Sequence, residues 1–395
     1  ASKGANVVPC GWVAAYDNRH MMVAFLDGAG PNLKVLQTSD GGGTWKGFEG
    51  KDAPTSIKFR NPDHGSSRGG VVDPSGNGMF VSSLGCAGFT SSPRAYCFMF
   101  TFKGAGGWEV RTPLKGTRSE GYAVGKDYNL VDSDIRHCVS SGMTLRLDSG
   151  ELWHVWGHLG RRSQMGVHAK RSLDDGITWA AWRHGDSAGI PGSFSPRAGN
   201  TYGYKCPWAT EWRDGIAAFW QDEKGLQWSR FDGRKWSPVE VIDPKATFHQ
   251  QECGYRASGS AVTLGAEEIL VSATGVKGVL HWDGRSWTRE IPGAHDQGYL
   301  SRAGKTIVLV TAGTQRPRWY GGLSWGRKAK LECWRRRATG RWDGPFDLAG
   351  GEFEITVYRG YAGFVAPRVC PPNFVPVVWN ARGETDLKLV RIPVK

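Results

Sequence analysis

A turn of fixed spacing that ends in a tryptophan occurs twice in this 395-residue chain, and it constrains the fold more than any other feature. One copy is Ser172-Leu-Asp-Asp-Gly-Ile-Thr-Trp179, and the other is Thr38-Ser-Asp-Gly-Gly-Gly-Thr-Trp45. The spacing predicts a tight turn, because Asp accepts hydrogen bonds from free backbone N–H groups and Gly adopts positive φ. Thr and Trp favour an extended strand after the turn. We therefore expect β-hairpins at both places.

Hairpins that end in tryptophan recur along the chain at intervals of 51 to 71 residues. The closing residues are Trp45, Trp108, Trp179, Trp236, Trp287 and Trp342. A hairpin repeated at such an interval is typical of a repeat architecture, in which each unit buries its faces on its neighbours. The 56 glycines and the aromatic content of 12% also favour many short strands joined by tight turns.

A second, apolar hairpin precedes each of these six hairpins, and a seventh follows the last of them without a closing Trp. Its two arms are predicted at 12–16 and 21–25, 70–73 and 79–82, 143–147 and 152–156, 208–212 and 216–220, 261–264 and 269–272, 300 and 307–311, and 364–366 and 375–379. A last strand is expected at 388–392, and a segment near 6–8 is expected to complete the last unit. The sequence thus predicts an all-β protein, a seven-bladed β-propeller of four-stranded antiparallel blades, with residues 1–395 forming a single domain.

The lengths of the connections predict which end of the blades carries a site. Turns between first and second strands are short, and the Asp-Gly turns lie at that same end. Connections at the other end are longer, and they span 112–137, 183–205, 313–328 and 347–361. Since long loops on a rigid scaffold usually build binding sites, we expect the site where first strands begin and second strands end.

Histidine, tyrosine and arginine are concentrated at these strand starts. His64 and His137 precede first strands, and His158 ends a second strand. Gly-Tyr pairs recur at the later strand starts, where they could instead serve blade packing: Tyr204, Tyr255, Tyr299 and Tyr361. Arginines of the same regions are Arg256, Arg359, Arg161, Arg162, Arg316 and Arg318, of which the last four could also be a solvated basic rim.

The turn motif resembles the Asp box, S-x-D-x-G-x-T-W, of sialidases and other BNR-repeat propellers. The run that begins at Asp63-His64 and continues to Val72-Asp73-Pro74-Ser75-Gly76 is similar to a segment of propeller polysaccharide lyases of the ulvan lyase and rhamnose–glucuronate lyase type. That resemblance implies that His64 lies in the active site. The group often has another His at the end of the second strand, where this chain has Leu84-Gly85-Cys86, and His137 or His158 is expected to replace it.

Such a lyase cleaves uronate glycans by β-elimination, and the candidate residues suit that chemistry. A cation or hydrogen-bond donor neutralises the carboxylate so that a base can remove the C5 proton. We expect His64 and His137 to be the base and the carboxylate partner, with Tyr204 or Tyr255 as the acid. The remaining substrate contacts are expected from Arg256, Arg359, Tyr361, His158, Arg316 and Arg318.

Two other functions stay open. An exo-sialidase would use three arginines with a Tyr–Glu pair, for which the chain offers Arg60, Arg256, Arg359, Tyr361 and Glu252. A general glycoside hydrolase needs two carboxylates, for which Asp63, Asp134, Glu252 and Asp296 are available. The third alternative is a glycan-binding propeller without catalysis.

The formal charge of +13 favours an anionic partner, and the absence of a nucleic-acid motif favours an acidic polysaccharide or oligosaccharide. No apolar run reaches the ~18–20 residues of a membrane helix, and a monomer is expected. A start at Ala1 is expected for a processed secreted or periplasmic protein. For the eight cysteines two alternatives stay open: they form one or two disulfides, or they are buried free thiols. The chemistry requires no cofactor, and a structural calcium or zinc ion stays open.

Overall fold

Strands are the only regular elements in the part of the chain that the computed structural model describes. The described residues are 7–27, 33–47, 50–57, 65–68, 79–86, 96–102, 108–111, 139–159, 164–173, 180–181, 189–196, 207–246, 259–273, 275–291, 298–312, 323–324, 328–354, 357–358, 364–381, 384 and 386–394. Within them there is no helix long and apolar enough to cross a membrane.

The chain divides into two compact units. The first comprises Ala1–Ile57, Phe102–Glu109 and Gly259–Lys395, and the second comprises Lys58–Thr101 and Val110–Ser258. The single domain expected over 1–395 stays a prediction.

Five sheets contain four strands that are consecutive in the chain, which is the order predicted for a blade. Blade one is β1 (Val7–Ala15), β2 (Met21–Asp27), β3 (Leu33–Thr38) and β4 (Thr55–Ile57). Blade two is β5 (Gly65–Arg68), β6 (Met79–Cys86), β7 (Tyr96–Phe102) and β8 (Trp108–Arg111). Blade three is β9 (Val139–Arg146), β10 (Leu152–Leu159), β11 (Gln164–Ser172) and β12 (Ala180–Ala181), and the short β13 (Ser195–Pro196) also pairs with β11. Blade four is β14 (Trp208–Trp212), β15 (Gly215–Asp222), β16 (Gly225–Arg230) and β17 (Glu240–Asp243). Blade five is β18 (Gly259–Gly265), β19 (Glu268–Ala273), β20 (Val279–Trp282) and β21 (Trp287–Glu290).

The C-terminal sheets differ from this form. The sixth sheet contains β22 (Gly298–Ala303), β23 (Thr306–Thr311), β25 (Lys328–Arg336) and β26 (Trp342–Glu354). The intervening β24 (Leu323–Ser324) pairs with β27 (Val357–Tyr358). The last sheet has β28 (Phe364–Val365), β30 (Phe374–Trp379) and β31 (Lys388–Pro393), while β29 (Val369–Cys370) pairs in parallel with β22 of the sixth sheet.

The prediction of seven blades, each of four strands, is therefore corrected to five complete blades among the described residues. Two pairings account for the difference. The strand β24 pairs with β27 and not with its neighbours in the chain, so the four antiparallel strands of the sixth sheet are not consecutive. At the N-terminus, Val7 pairs with Asp27 and Val8 pairs with Leu26 in blade one, so the segment expected to complete the last sheet belongs to another sheet.

The predicted apolar hairpins are confirmed where their strands are described. In blade four, Trp208 pairs with Phe219, and Trp212 pairs with Gly215 across a two-residue turn. Every residue of the second strand, β15, is buried, which explains its continuous apolar run Ile-Ala-Ala-Phe-Trp. Strand pairing and burial on both faces thus follow from the same stretch of sequence.

The Asp-Gly turns that the structure describes form as the sequence predicts, whereas residues 174–179 of the motif that begins at Ser172 lie outside the described residues. In the turn between β20 and β21, the carboxylate of Asp283 accepts hydrogen bonds from the backbone N–H groups of Arg285 and Ser286, at 2.8 Å each. Gly284 adopts a φ of 93°. The motif that begins at Thr38 is also a turn. Thr38 pairs with Met21, the first residue of the second strand β2. These turns therefore lie at the blade end opposite the predicted site.

The core consists of apolar layers between neighbouring sheets of the same unit. In the first unit, Val262 and Leu270 of blade five pack against Leu300 and Leu309 of the sixth sheet. In the second unit, the buried Trp153 of blade three contacts Phe231 of blade four at a ring-centroid distance of 5.0 Å. In each unit these neighbouring sheets bury apolar side chains against each other, as a repeat architecture requires.

Candidate functional site

We call the end of the blades at which first strands begin the strand-start end, and several predicted site residues directly precede such strands in the chain. In blade two, β5 begins at Gly65, which follows His64 in the chain and pairs with Cys86 at the end of β6. In blade five, β18 begins three residues after Arg256. In the last sheet, β28 begins three residues after Tyr361. The strand boundaries therefore agree with the prediction that these residues precede first strands.

Most of the candidates themselves lie outside the described residues. These are His64, His137, Tyr204, Tyr255, Arg256, Arg316, Arg318, Arg359 and Tyr361. The same holds for Arg60, Asp63, Asp134, Arg161, Arg162, Glu252 and Asp296.

His158 is the candidate whose backbone is described. It lies one residue before the end of β10, where it pairs with Val139 of β9 on one side and Gly166 of β11 on the other. Val139 is the second residue after His137, so the pairing brings the chain next to His137 beside His158 at the strand-start end of blade three. This is the relation between first-strand start and second-strand end that the sequence predicted.

A further segment flanks this end of blade three. Residues 189–196, which we call the clamp segment, run along β11. Its Ser193 is fully buried, and its hydroxyl accepts a hydrogen bond from the N–H of Val167 at 3.0 Å and donates one to the carbonyl of Val167 at 3.2 Å. The N–H of Ile190 also donates to the carbonyl of Val167, at 2.8 Å. The side chain of Ser193 thus acts as a strand partner and fixes the segment to the blade.

The clamp segment presents an aromatic ring at the strand-start end. Phe194 is 38% exposed, although the residue before it is buried. Its ring covers Gly166, and the edge of the buried His168 ring meets it at a centroid distance of 5.6 Å. Since Gly166 is the residue directly opposite His158, Phe194 lies on the sheet face shared by these two positions.

Sequence reasoning missed Phe194. The connection 183–205 was identified as one of the long loops at the site end, but a single Phe between two serines carries no periodic signal. The hydrogen bonds of Ser193 to Val167 span 26 residues. No local pattern predicts such a long-range contact.

Tyr299, the described tyrosine of the Gly-Tyr strand starts, takes part in blade packing. Its ring meets Phe364 edge-on at 5.2 Å, against the core between the sixth and last sheets. Gly298 is needed beside it, because a Cβ there would lie 2.5 Å from Leu309 Cδ1. For this tyrosine the packing role is the one that the structure supports.

The strongest described charge cluster lies away from the strand-start end, between blade five and the sixth sheet. Arg336 donates from Nε and Nη2 to the two oxygens of Glu290, at 2.8 and 2.7 Å. Trp342 Nε1 donates to the same carboxylate at 2.6 Å. His281 Nδ1 lies 3.0 Å from Glu290, and its Nε2 lies 2.7 Å from Glu268. We call these five residues the Glu290 cluster.

The hydrogen bonds of the Glu290 cluster shift the pKa values of Glu290 and His281 in favour of their charged forms. Burial raises the pKa of Glu290, but the hydrogen bonds from Arg336, His281 and Trp342 outweigh burial and lower the pKa to about 2. The hydrogen bond to Glu290 raises the pKa of His281 above its ordinary value against the opposing effect of burial. Because Glu290 of blade five bonds to Arg336 and Trp342 of the sixth sheet, the cluster joins two sheets.

The described residues contain no group of three or more His, Cys, Asp or Glu side chains arranged to hold a metal ion. Of the eight cysteines, Cys333 and Cys370 are described as buried free thiols. Burial raises the pKa of Cys333 to about 11 and raises the pKa of Cys370 further. Cys333 and Cys370 are therefore buried free thiols, which is the second of the two alternatives, and they are unreactive core residues.

No protein-family model and no curated protein matches the chain. Solved structures do resemble it. An ulvan lyase, described as a new family of polysaccharide lyase, has a TM-score of 0.53 at 13% identity over 99% of this chain and 94% of its own. The same kind of enzyme bound to a [GlcA(1-4)Rha3S] saccharide has a TM-score of 0.52 at 12% identity over 100% of this chain and 94% of its own. A Hadza microbial sialidase has a TM-score of 0.50 at 12% identity over 98% of this chain and 66% of its own.

These likenesses establish the fold. The chain is an all-β protein of the β-propeller type, similar in fold to carbohydrate-active enzymes of more than one reaction class. At such identities the reaction does not follow from the fold.

Proposed function

We propose that the protein is a secreted or periplasmic enzyme that cleaves a uronate-containing acidic glycan by β-elimination. The observation that carries the proposal is the arrangement at the strand-start end of blade three. There the pairing of His158 with Val139 brings a second-strand histidine beside the chain that follows His137, next to the partly exposed Phe194. Histidines and an exposed aromatic ring at one blade end suit acid–base chemistry on a sugar.

In the proposed reaction, Arg256 or Arg359 binds the uronate carboxylate, and one of His64 and His137 adds a further hydrogen bond to it. Neutralising the carboxylate makes the C5 proton more acidic. The other histidine removes this proton, whose electron pair forms the C4–C5 double bond as the C4–O bond breaks. The residue types match the task, because the unperturbed pKa of histidine, about 6.5, lies near neutral pH.

The leaving oxygen takes its proton from the hydroxyl of Tyr204 or Tyr255. Both halves of the sugar chain are then neutral at the cleaved bond, and no water, redox step or cofactor is consumed. Tyr361, His158, Arg316 and Arg318 are proposed as further contacts to the polyanion. The positive formal charge of +13 favours a polyanionic substrate through long-range attraction.

The fold likeness supports the choice of substrate class. The ulvan lyase structure that resembles this chain contains a saccharide of glucuronate and sulfated rhamnose. The site chemistry proposed here needs the same two features, a carboxylate to neutralise and an anionic chain to attract. A uronate polysaccharide that also carries sulfate is therefore the first substrate class to examine.

The second candidate is an exo-sialidase, and the similarity to a sialidase structure favours it. Arg60, Arg256 and Arg359 would bind the sialate carboxylate, and Tyr361 with Glu252 would supply the nucleophile pair. Non-catalytic glycan binding is the third candidate.

Product analysis distinguishes these functions. The protein is incubated with sulfated uronate polysaccharides, a neutral polysaccharide and a sialylated oligosaccharide, and the products are analysed by ultraviolet absorbance and mass spectrometry. β-Elimination leaves an unsaturated uronate, whose mass is one water below that of the hydrolysis product. Saturated ends would indicate a hydrolase, free sialic acid would indicate a sialidase, and binding without cleavage would indicate a lectin-like protein.

A further inference from the structure

Phe194 is an exposed apolar side chain that packs against blade three. A single exposed hydrophobic residue is normal on a protein surface and needs no function. Phe194, however, contacts both Gly166 and the buried ring of His168. Hydrogen bonds of the preceding residue, Ser193, fix the chain before Phe194 to β11.

The glycine beneath the ring leaves room that no other residue would leave. A Cβ at Gly166 would lie 2.5 Å from Cε1, 2.6 Å from Cδ1 and 2.9 Å from Cζ of Phe194. Such distances are far below van der Waals contact, so any side chain at this position would displace the ring. Gly166 has no positive φ that would require glycine for backbone reasons. Its place in β11 is therefore explained by the ring above it.

The other two supports fix the orientation of the ring. The hydrogen bonds of Ser193 to Val167 hold the residue before Phe194 at a set distance from β11. The strand β13 begins directly after Phe194, with Ser195 pairing with Met165. His168 meets the ring at an interplanar angle of 76°, which is a favourable edge contact. A ring held in this way loses little conformational entropy when a ligand binds to it.

The location of the ring connects it with the proposed reaction. Gly166 lies opposite His158, at the strand-start end of blade three. A pyranose ring has a face of C–H groups that can pack on an aromatic face, while its hydroxyls and carboxylate point outward to polar groups. An aromatic platform at this end of the blade suits a sugar ring better than an isolated anion.

We propose that Phe194 forms a subsite that binds the apolar face of one pyranose of the glycan, with Gly166 and Ser193 as positioning residues. This inference rests on the proposed function and goes further by assigning one sugar contact to a specific side chain. Phe194 binds substrate and takes no part in proton transfer. Its loss should therefore weaken binding without altering the chemical step.

The test compares five variants with the wild type in cleavage of a uronate polysaccharide and in calorimetric binding of its oligosaccharides. Phe194→Ala should raise KM about tenfold and leave kcat within about twofold, since a stacked ring supplies binding energy of that order. Phe194→Trp should keep KM near the wild-type value. Gly166→Ala should raise KM in the same direction as Phe194→Ala, because the added methyl displaces the ring.

Two matched controls come from elsewhere in the chain. Gly265→Ala adds a methyl where no atom lies within 4 Å, and it should leave KM unchanged. Phe346→Ala removes another exposed Phe, which is 42% exposed in β26 of the sixth sheet, and it should also leave KM unchanged. Thermal unfolding of every variant shows that it is folded.

The outcomes separate this inference from the proposed function. If the wild type produces unsaturated uronate and folded Phe194→Ala has the wild-type KM and affinity, the subsite is wrong and the lyase stands. If Phe194→Ala loses affinity for the glycan while the wild type yields hydrolysis products, the subsite stands and the β-elimination is wrong. If the wild type neither cleaves nor binds uronate glycans, both are overturned.

Discussion

Arg336 and Arg337 are adjacent in the chain, yet the structure gives them opposite environments. Arg336 is the last residue of β25, and Arg337 begins the turn that follows it. Arg336, with a side-chain exposure of 9%, bonds to Glu290 across the boundary between two sheets. The side chain of Arg337 is 70% exposed and bonds to Asp343 of its own hairpin. Arg336 therefore stabilises the packing of two sheets, whereas Arg337 is a surface residue.

We expect Arg336→Ala to lower the free energy of unfolding by about 2 kcal/mol. The loss is smaller than the roughly 3–5 kcal/mol of a fully buried pair, because Glu290 keeps its bonds to His281 and Trp342. Arg337→Ala, the matched control, should cost roughly 0–1 kcal/mol, as exposed ion pairs do. Denaturant unfolding of the two variants measures both values. Equal losses would contradict the assignment of Arg336 to the packing of two sheets.

The same cluster predicts how stability depends on pH. The pKa of His281 is raised in the folded protein, so its charge stabilises the fold fully below the ordinary value of 6.5. That contribution is lost as pH rises through the folded pKa. The pKa of Glu290 is lowered to about 2, so its contribution is present above the ordinary value of 4.5 and is lost as pH falls toward 2.

We therefore expect His281→Gln to be less stable than the wild type between about pH 5 and 6, with a difference in Tm that shrinks as the pH rises further. The measurement is Tm from pH 5 to pH 9 for both proteins. His20→Gln is a matched control, since His20 bonds to Asp17 within a single turn of blade one. A difference in Tm for His281→Gln that is constant across this range would contradict the account.

At the scale of elements, the Asp-Gly turns stabilise the hairpins of individual blades. In the first motif, the two carboxylate oxygens of Asp40 accept hydrogen bonds from the hydroxyls of Thr38 and Thr44 and from the N–H of Thr44, at 2.7 to 2.9 Å. These bonds, the backbone N–H of Thr44 first among them, hold the pKa of Asp40 far below its usual range. The turn lies at the end opposite the candidate site.

We expect Asp40→Ala to lower Tm and to leave kcat/KM on the glycan unchanged, because the turn loses its hydrogen-bond acceptor while the strand-start end is untouched. The exposed neighbour Ser39 provides the control Ser39→Ala, which should leave Tm unchanged. Thermal unfolding and steady-state kinetics are measured together. A drop in kcat/KM for folded Asp40→Ala would show that the turn takes part in the site.

Hairpins could be predicted from the sequence because their information is local. The pairs Trp208–Phe219 and Trp282–Trp287 follow from alternating apolar residues around a short turn. Contacts between distant segments were not predicted. Arg336 and Glu290 are 46 residues apart, and the parallel pairing of Arg302 with Val369 spans 67 residues. Such contacts depend on how sheets pack, and no periodicity in one strand encodes them.

At the scale of the whole molecule, the fold is that of a β-propeller, and the sequence predicted both this class and the end of the blades at which first strands begin. The number of complete four-stranded blades was wrong, because strands of the C-terminal third pair across sheet boundaries. The histidine candidates were predicted from their positions at the starts and ends of strands. Phe194 was found only in the structure, where the long-range contact of Ser193 with Val167 positions it. The proposed chemistry at the strand-start end therefore rests on histidines predicted from the sequence and on a phenylalanine identified in the structure.

The central claim is that a histidine at this end removes a proton from a uronate. The most direct measurement is the rate of unsaturated-uronate formation by the wild type and by His64→Ala, on a sulfated uronate polysaccharide. A missing acid–base group typically costs roughly 10²–10⁴-fold in rate, so we expect at least a hundredfold loss of kcat with Tm unchanged. Full formation of the unsaturated product by folded His64→Ala would contradict the claim.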